Sequence, residues 1–193
     1  KQAPAEYPQD GTRTMTYENL KEGNTMVRVP ETERIMKVLD PLVNSEDCKP
    51  FFIVGPTGCG KSKVLNACFA DAKGVRVSVI HCSAQTSAQH IIQKMQQLCA
   101  VFSTNAGKVL RPKEGDRLVL CLKDINLPKP DKYGTVEMHS FLQQMLLYRG
   151  YYDSELEWVG VERVQIVGSM NPIVSAGRFP VAPRLLAIVN IVS

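Results

Sequence analysis

Phe51-Phe52-Ile53-Val54-Gly55-Pro56-Thr57-Gly58-Cys59-Gly60-Lys61-Ser62 joins four apolar residues to a glycine-rich turn that ends in Lys-Ser. The apolar run lies between Pro50 and Gly55 and suits a strand buried on both faces. The turn is a complete GxxxxGK[ST], and Gly60 to Ala72 reads as a helix behind it. In such a unit the glycines let the backbone curl until its N–H groups face phosphate oxygens, and the helix adds its positive N-terminus. Gly55, Pro56, Thr57, Gly58, Cys59, Gly60, Lys61 and Ser62 are therefore the candidate ligands of a nucleoside triphosphate or diphosphate. Lys61 would neutralise the β- and γ-phosphates, and Ser62 would offer its hydroxyl to Mg2+. A glycine turn that only links strand to helix is the plainer reading; Lys and Ser in register weigh against it.

Working outward, apolar strands and amphipathic helices alternate. Upstream, Glu31 to Val43 has helical spacing after Pro30, with Glu31 and Glu33 in the first turn. Downstream, Val75 to His81 reads as a strand, Ser87 to Val101 as a helix, Ser103 to Gly115 as a loop and Arg117 to Leu122 as a strand. Thr135 to Tyr148 is a further helix, Val164 to Val167 a strand, and a helical turn near Pro183 leads to a last strand over Ala187 to Val192. Five apolar strands separated by helices predict an α/β fold with a parallel sheet covered on both faces. Residues 1–24 hold Pro and Gly among polar residues without a period and are expected to be a lead-in segment, leaving 25–193 as the domain.

Composition narrows the function classes. The 193 residues are 44% apolar and 22% charged, which excludes wholesale disorder. Twenty-three Lys and Arg against 19 Asp and Glu leave +4, too mild to require a nucleic-acid or membrane partner. No apolar run reaches the roughly 18 residues of a membrane span. Six cysteines at irregular spacing, with no CxxC, fit free thiols in a reducing cytosol better than disulfides or a zinc site. The start at Lys1 and the end inside an apolar run suggest a piece of a longer chain.

Three more positions belong with the phosphate loop. Leu118-Val119-Leu120-Cys121-Leu122-Lys123-Asp124 is the buried strand at whose end a P-loop protein places a Mg2+-ordering acid and a water-polarising acid. Here Lys123 holds the first place and Asp124 the second, so Asp124 is the candidate catalytic and metal-binding carboxylate. Asn171, closing Val164 to Pro172, is placed to sense a γ-phosphate. Arg184, after Pro183, is the candidate arginine finger, with Arg178 as its competitor.

The elements together resemble an AAA+ large subdomain, and Leu118 to Trp158 resembles one family in particular. Lys123-Asp124-Ile125-Asn126-Leu127-Pro128, Asp131-Lys132-Tyr133-Gly134-Thr135, Phe141-Leu142-Gln143-Gln144-Met145, Gly150-Tyr151-Tyr152-Asp153 and Glu157-Trp158 look like the third AAA+ module of dynein heavy chains. Val29 to Arg34 and Val164 to Arg178 extend the likeness. Leu122 to Asn126 and His81 to Thr86 most resemble the cytoplasmic dynein 2 class.

The resemblance implies a three-layer P-loop NTPase with a five-stranded parallel sheet of order 5-1-4-3-2, followed in the family by a small helical subdomain that this chain lacks. It implies ATP or ADP with Mg2+ as cofactors, and an acid at the position of Lys123, where this chain departs. It also implies neighbouring AAA+ modules as partners, with microtubules and accessory chains bound by the parent motor in the cytoplasm, the cytoskeleton or a cilium. No nucleic-acid or membrane partner is expected. The rival readings are a non-hydrolysing structural nucleotide site, a small P-loop nucleotide kinase and a DNA-handling AAA+ protein. The kinase lacks an arginine-bearing lid between Lys123 and Asp153, and the DNA-handling protein lacks a basic stripe.

Overall fold

Alternating apolar and amphipathic runs become two sheets and five helices in the computed structural model, which describes residues 29–70, 72–104, 107–175 and 177–193. The expected lead-in at residues 1–24 lies outside the described residues. The chain runs α1 (Pro30–Val43), β1 (Phe51–Val54), α2 (Lys61–Ala70), β2 (Val75–His81), α3 (Ala88–Leu98), β3 (Cys99–Thr104) and β4 (Gly107–Pro112). It continues through β5 (Arg117–Lys123), α4 (Glu137–Tyr148), β6 (Gly150–Tyr152), β7 (Trp158–Val161), β8 (Val164–Met170), α5 (Pro183–Leu186) and β9 (Asn190–Val192).

The main sheet has the order β2-β5-β8-β1-β9, and every neighbouring pair in it is parallel. Counted along the chain within this sheet, that is the expected 5-1-4-3-2. Period-two alternation divides each strand between two cores. Val119 and Cys121 of β5, Phe51 and Ile53 of β1 and Val167 of β8 pack under α1 and α2 with Leu39, Val64, Leu65 and Phe69. Leu118, Leu120 and Leu122, with Phe52 and Ile166, face the other way against α3, α4 and Leu185 of α5. Each fully buried leucine of this kind contributes roughly 2 kcal/mol. Gly168 of β8 exists because the Phe52 ring lies over it: a Cβ there would meet the ring at 2.5 Å.

A second sheet, β3-β4-β7-β6, corrects the reading of residues 87–115. The helix expected to reach Val101 stops at Leu98, and the expected loop over 103–115 holds most of an antiparallel hairpin that begins at Cys99. Cys99 takes extended angles (φ −109°, ψ 153°) directly after the helix, with no linker residue. Val101 and Phe102 are exposed, so the burial alternation that would announce a strand is missing from this hairpin. β4 then pairs with β7 in parallel and β7 with β6 antiparallel. Two boundaries move as well: the strand expected over 164–167 runs on to Met170, and the last strand begins at Asn190 rather than Ala187. Among the described residues no helix is long and apolar enough to cross a membrane.

Candidate nucleotide-phosphate site

β1 delivers the chain to the C-terminal edge of the main sheet, and Gly55 to Gly60 turn it into α2. Gly58 (φ 83°) and Gly60 (φ 87°) take left-handed angles that an L side chain resists, and the space where their Cβ atoms would sit is open. The amides of Lys63 and Val64 start the helix by donating to the Gly60 carbonyl at 2.9 and 3.0 Å. Among the described residues, the amides of Gly58, Gly60, Lys61 and Ser62 donate to no backbone carbonyl. That leaves a row of N–H groups at a helix N-terminus, the chemistry an anion requires.

Lys61 folds back into this loop. Its Nζ donates to the carbonyls of Gly55 and Pro56, each at 2.8 Å, and to Asn171 Oδ1 at 2.9 Å. Asn171 Nδ2 in turn donates to Thr57 Oγ1 at 3.1 Å. The expected sensor and the phosphate lysine are thus in direct contact, held by β8 lying beside β1, with the Gly55 amide on the Met170 carbonyl at 3.2 Å.

The end of β5 joins the same edge. Asp124 leaves the strand at φ 59°, a left-handed angle that costs an aspartate on the order of 1 kcal/mol. Its carboxylate meets Arg178 Nη1 at 3.0 Å, and the Arg178 side chain is only 13% exposed. Nη1 makes no aligned hydrogen bond, so the contact is an ion pair by proximity of charge. Asn126 Nδ2 donates to the Asn171 backbone carbonyl at 2.8 Å, while the Asn126 backbone carbonyl accepts from the Phe179 amide at 2.9 Å. His139 Nε2 donates to the Ile125 carbonyl at 2.9 Å, and burial lowers the pKa of this histidine. Burial, and after it the charge of Asp124, pushes the thiol of Cys82 up to about 12.

The structure therefore brings together Gly55 to Ser62 and Asn171, and places Asp124 beside Arg178. It does not bring Arg184 to the loop. Arg184 is exposed on α5, whose Leu185 packs on the side of the sheet opposite α2. Sequence reasoning missed Asn126, whose Asn-x-Pro setting looks like a turn, and the pairing of Arg178, which has no local signature. Two concavities lie away from the loop. One of 340 Å³ separates α1 from α2, and one of 540 Å³ adjoins Arg117 and Arg163.

Phosphate fits this cradle of amides, ammonium and open space. Mg2+ fits only in part: Ser62 at the head of α2 offers a hydroxyl, but the acid that should face it is Lys123, and Asp124 is held by Arg178.

A family profile described as the P-loop containing dynein motor region matches residues 15–193. The chain belongs to the dynein motor family of P-loop proteins. Among curated dyneins it is 50% identical to cytoplasmic dynein 2 heavy chain 1 of Tripneustes gratilla, over 87% of this chain and 4% of that one. Identity is 44% to the Homo sapiens heavy chain of that name over 93% of this chain, and 47% to that of Chlamydomonas reinhardtii over 87%, again 4% of each relative. The chain thus matches about 4% of the length of these dynein relatives. A crystallised ATPase candidate from Cytophaga hutchinsonii superposes with a TM-score of 0.53 at 10% identity, covering 90% of this chain and 50% of that one, and so shares the fold. This dynein-family chain folds as an α/β P-loop AAA module.

Proposed function

We propose that this module binds ATP or ADP through Gly55 to Ser62 and reports the state of the nucleotide to a dynein ring, in the third AAA+ position of a heavy chain of the dynein 2 class. The observation that carries the reading is the Lys61–Asn171–Thr57 constellation. One strand-end amide touches both the phosphate lysine and the loop hydroxyl, so a γ-phosphate that draws Lys61 away changes what Asn171 holds. Asn171 is bonded through its carbonyl to Asn126, which accepts from Phe179 in the segment leading to α5. A change at the phosphate thus has a hydrogen-bonded route toward the segment bearing Arg184. Such local contacts bias rigid-body rearrangements between modules.

In this reading Arg184 serves the nucleotide of a neighbouring module, since Arg178 is engaged by Asp124 of its own chain and α5 lies across the sheet from α2. In this reading the parent chain drives ATP-dependent movement on microtubules in intraflagellar transport within a cilium, and the likeness to heavy chains named cytoplasmic dynein 2 supports it. A second reading, a bound nucleotide that is not turned over, is favoured by Lys123 in the place of an acid.

The test is nucleotide binding to the chain and to Lys61→Ala. Lys61→Ala is expected to weaken ADP and ATP by about a hundredfold, equivalent to about 2.7 kcal/mol, with unchanged far-ultraviolet circular dichroism. Equal binding by both proteins refutes the reading.

A further inference from the structure

At the end of β5 a lysine stands where a metal-ordering acid belongs, on the face that carries the phosphate loop. Lys123 pairs in register with Ser169 of β8, and Ser169 with Ile53 of β1, so the three form one row across the sheet. Side chains alternate along a strand. Val119 and Cys121, four and two residues before Lys123, pack in the core under α2, whereas Leu118, Leu120 and Leu122 pack in the other. Lys123 therefore projects on the α2 face, two strand spacings, roughly 10 Å, from the strand that leads into the loop. Its charge is felt there: burial pushes the Cys121 thiol up to about 11 while the Lys123 ammonium pulls it down.

The remaining acid is turned to other work. Asp124 acts on Cys82, which packs in the core of the opposite face, and its carboxylate is paired with Arg178 at 3.0 Å. Among the described residues the one cluster of three potential metal-ligating side chains is Asp153, Glu155 and Glu157, on the turn between β6 and β7. Lys61, Lys123 and Arg178 against Asp124 leave the sheet edge two charges positive before any ion arrives. A dication held at Ser62 would meet that excess, and the polyanionic phosphates would satisfy it.

We infer that this loop takes its nucleotide without a bound Mg2+, Lys123 giving the phosphates the positive charge that the metal would otherwise supply. The inference rests on the nucleotide-binding reading above and narrows its ligand to the metal-free nucleotide.

The experiment titrates ADP into the intact chain with Mg2+ and, separately, with EDTA. The wild type is expected to keep its affinity within about threefold between the two buffers. Lys123→Met should bind about tenfold more weakly in both, Lys123→Arg should restore much of that loss, and Lys123→Asp should gain about tenfold from Mg2+. Mn2+ paramagnetic resonance gives a readout that needs no variant: the wild type with ADP should immobilise no more Mn2+ than ADP alone. A wild type that loses tenfold or more in EDTA, or that holds Mn2+ with its ADP, overturns the inference while leaving nucleotide binding intact. Unaltered affinity in Lys123→Met overturns it too. Absence of ADP binding in both buffers refutes the nucleotide reading itself, and the inference with it.

Discussion

Single residues at the sheet edge are specified by what lies against them. Asn171 is polar because its side chain bonds both Lys61 and Thr57, and Asn126 is polar because the Asn171 carbonyl needs a donor inside the fold. Gly168 is the apolar counterpart. It tolerates extended angles that any residue adopts, so its identity is dictated by space alone: the Phe52 ring occupies the volume of a side chain. Gly168→Ala is expected to force that ring out of the core it shares with Leu120 and Ile166, at a cost of about 1 to 3 kcal/mol. Urea denaturation measures this as a lower midpoint with unchanged slope. Phe52→Leu in the same chain should recover part of the loss, and failure to do so would mean that the glycine has another purpose. From sequence, Gly168 is just a weak spot in an apolar strand, because the residue that explains it sits 116 positions earlier.

Whether an element could be read from the sequence depended on how its burial is divided. β1, β5 and β8 are buried on both faces and appear as continuous apolar runs, and α3 and α4 carry clear inner stripes, so all five were evident. The phosphate loop was evident for a different reason: its glycines and lysine are fixed by chemistry at fixed spacing. β3 and β4 were not, since Val101 and Phe102 of β3 lie open to solvent and the pairing of β4 with β7 joins segments about 50 residues apart. The Arg178–Asp124 contact was hidden for the same reason, being a meeting of two loops. α4 offers a pH test of how firmly the β5 end is held. His139 bonds the Ile125 carbonyl from a buried position, and burial lowers its pKa, so the folded chain binds fewer protons than the unfolded one below the ordinary histidine value of about 6.5. The stability this histidine contributes is present above about 6.5 and is lost as pH falls toward its depressed folded value. Urea midpoints should decline between about pH 7.5 and 5.5, and His139→Gln should decline less steeply over the same range. Parallel slopes would remove His139 from the account.

At the scale of the whole molecule, the described residues form two sheets that share one of two cores. Leu110 of β4, Tyr151 of β6 and Val159 and Val161 of β7 belong to the same buried cluster as Leu118, Leu120 and Leu122 of the main sheet. The small sheet has no apolar interior of its own to retreat to, and its edge strand β3 shows mostly exposed residues. Its persistence therefore depends on the face of the main sheet opposite the phosphate loop. Two spectroscopic signals separate the sheets: Trp158, the single tryptophan, stacks edge-on against Tyr152 at 5.0 Å in the small sheet, whereas far-ultraviolet circular dichroism is dominated by the helices on the main one. A shared core demands one cooperative transition, so both signals should report the same urea midpoint. Leu110→Ala, which opens a cavity at the junction, should lower both midpoints together by about 2 to 5 kcal/mol of stability. If the Trp158 signal is instead lost at lower urea, before the circular dichroism changes, the small sheet is an independent unit of stability resting on the phosphate-binding domain, and Leu110→Ala would then shift the fluorescence alone.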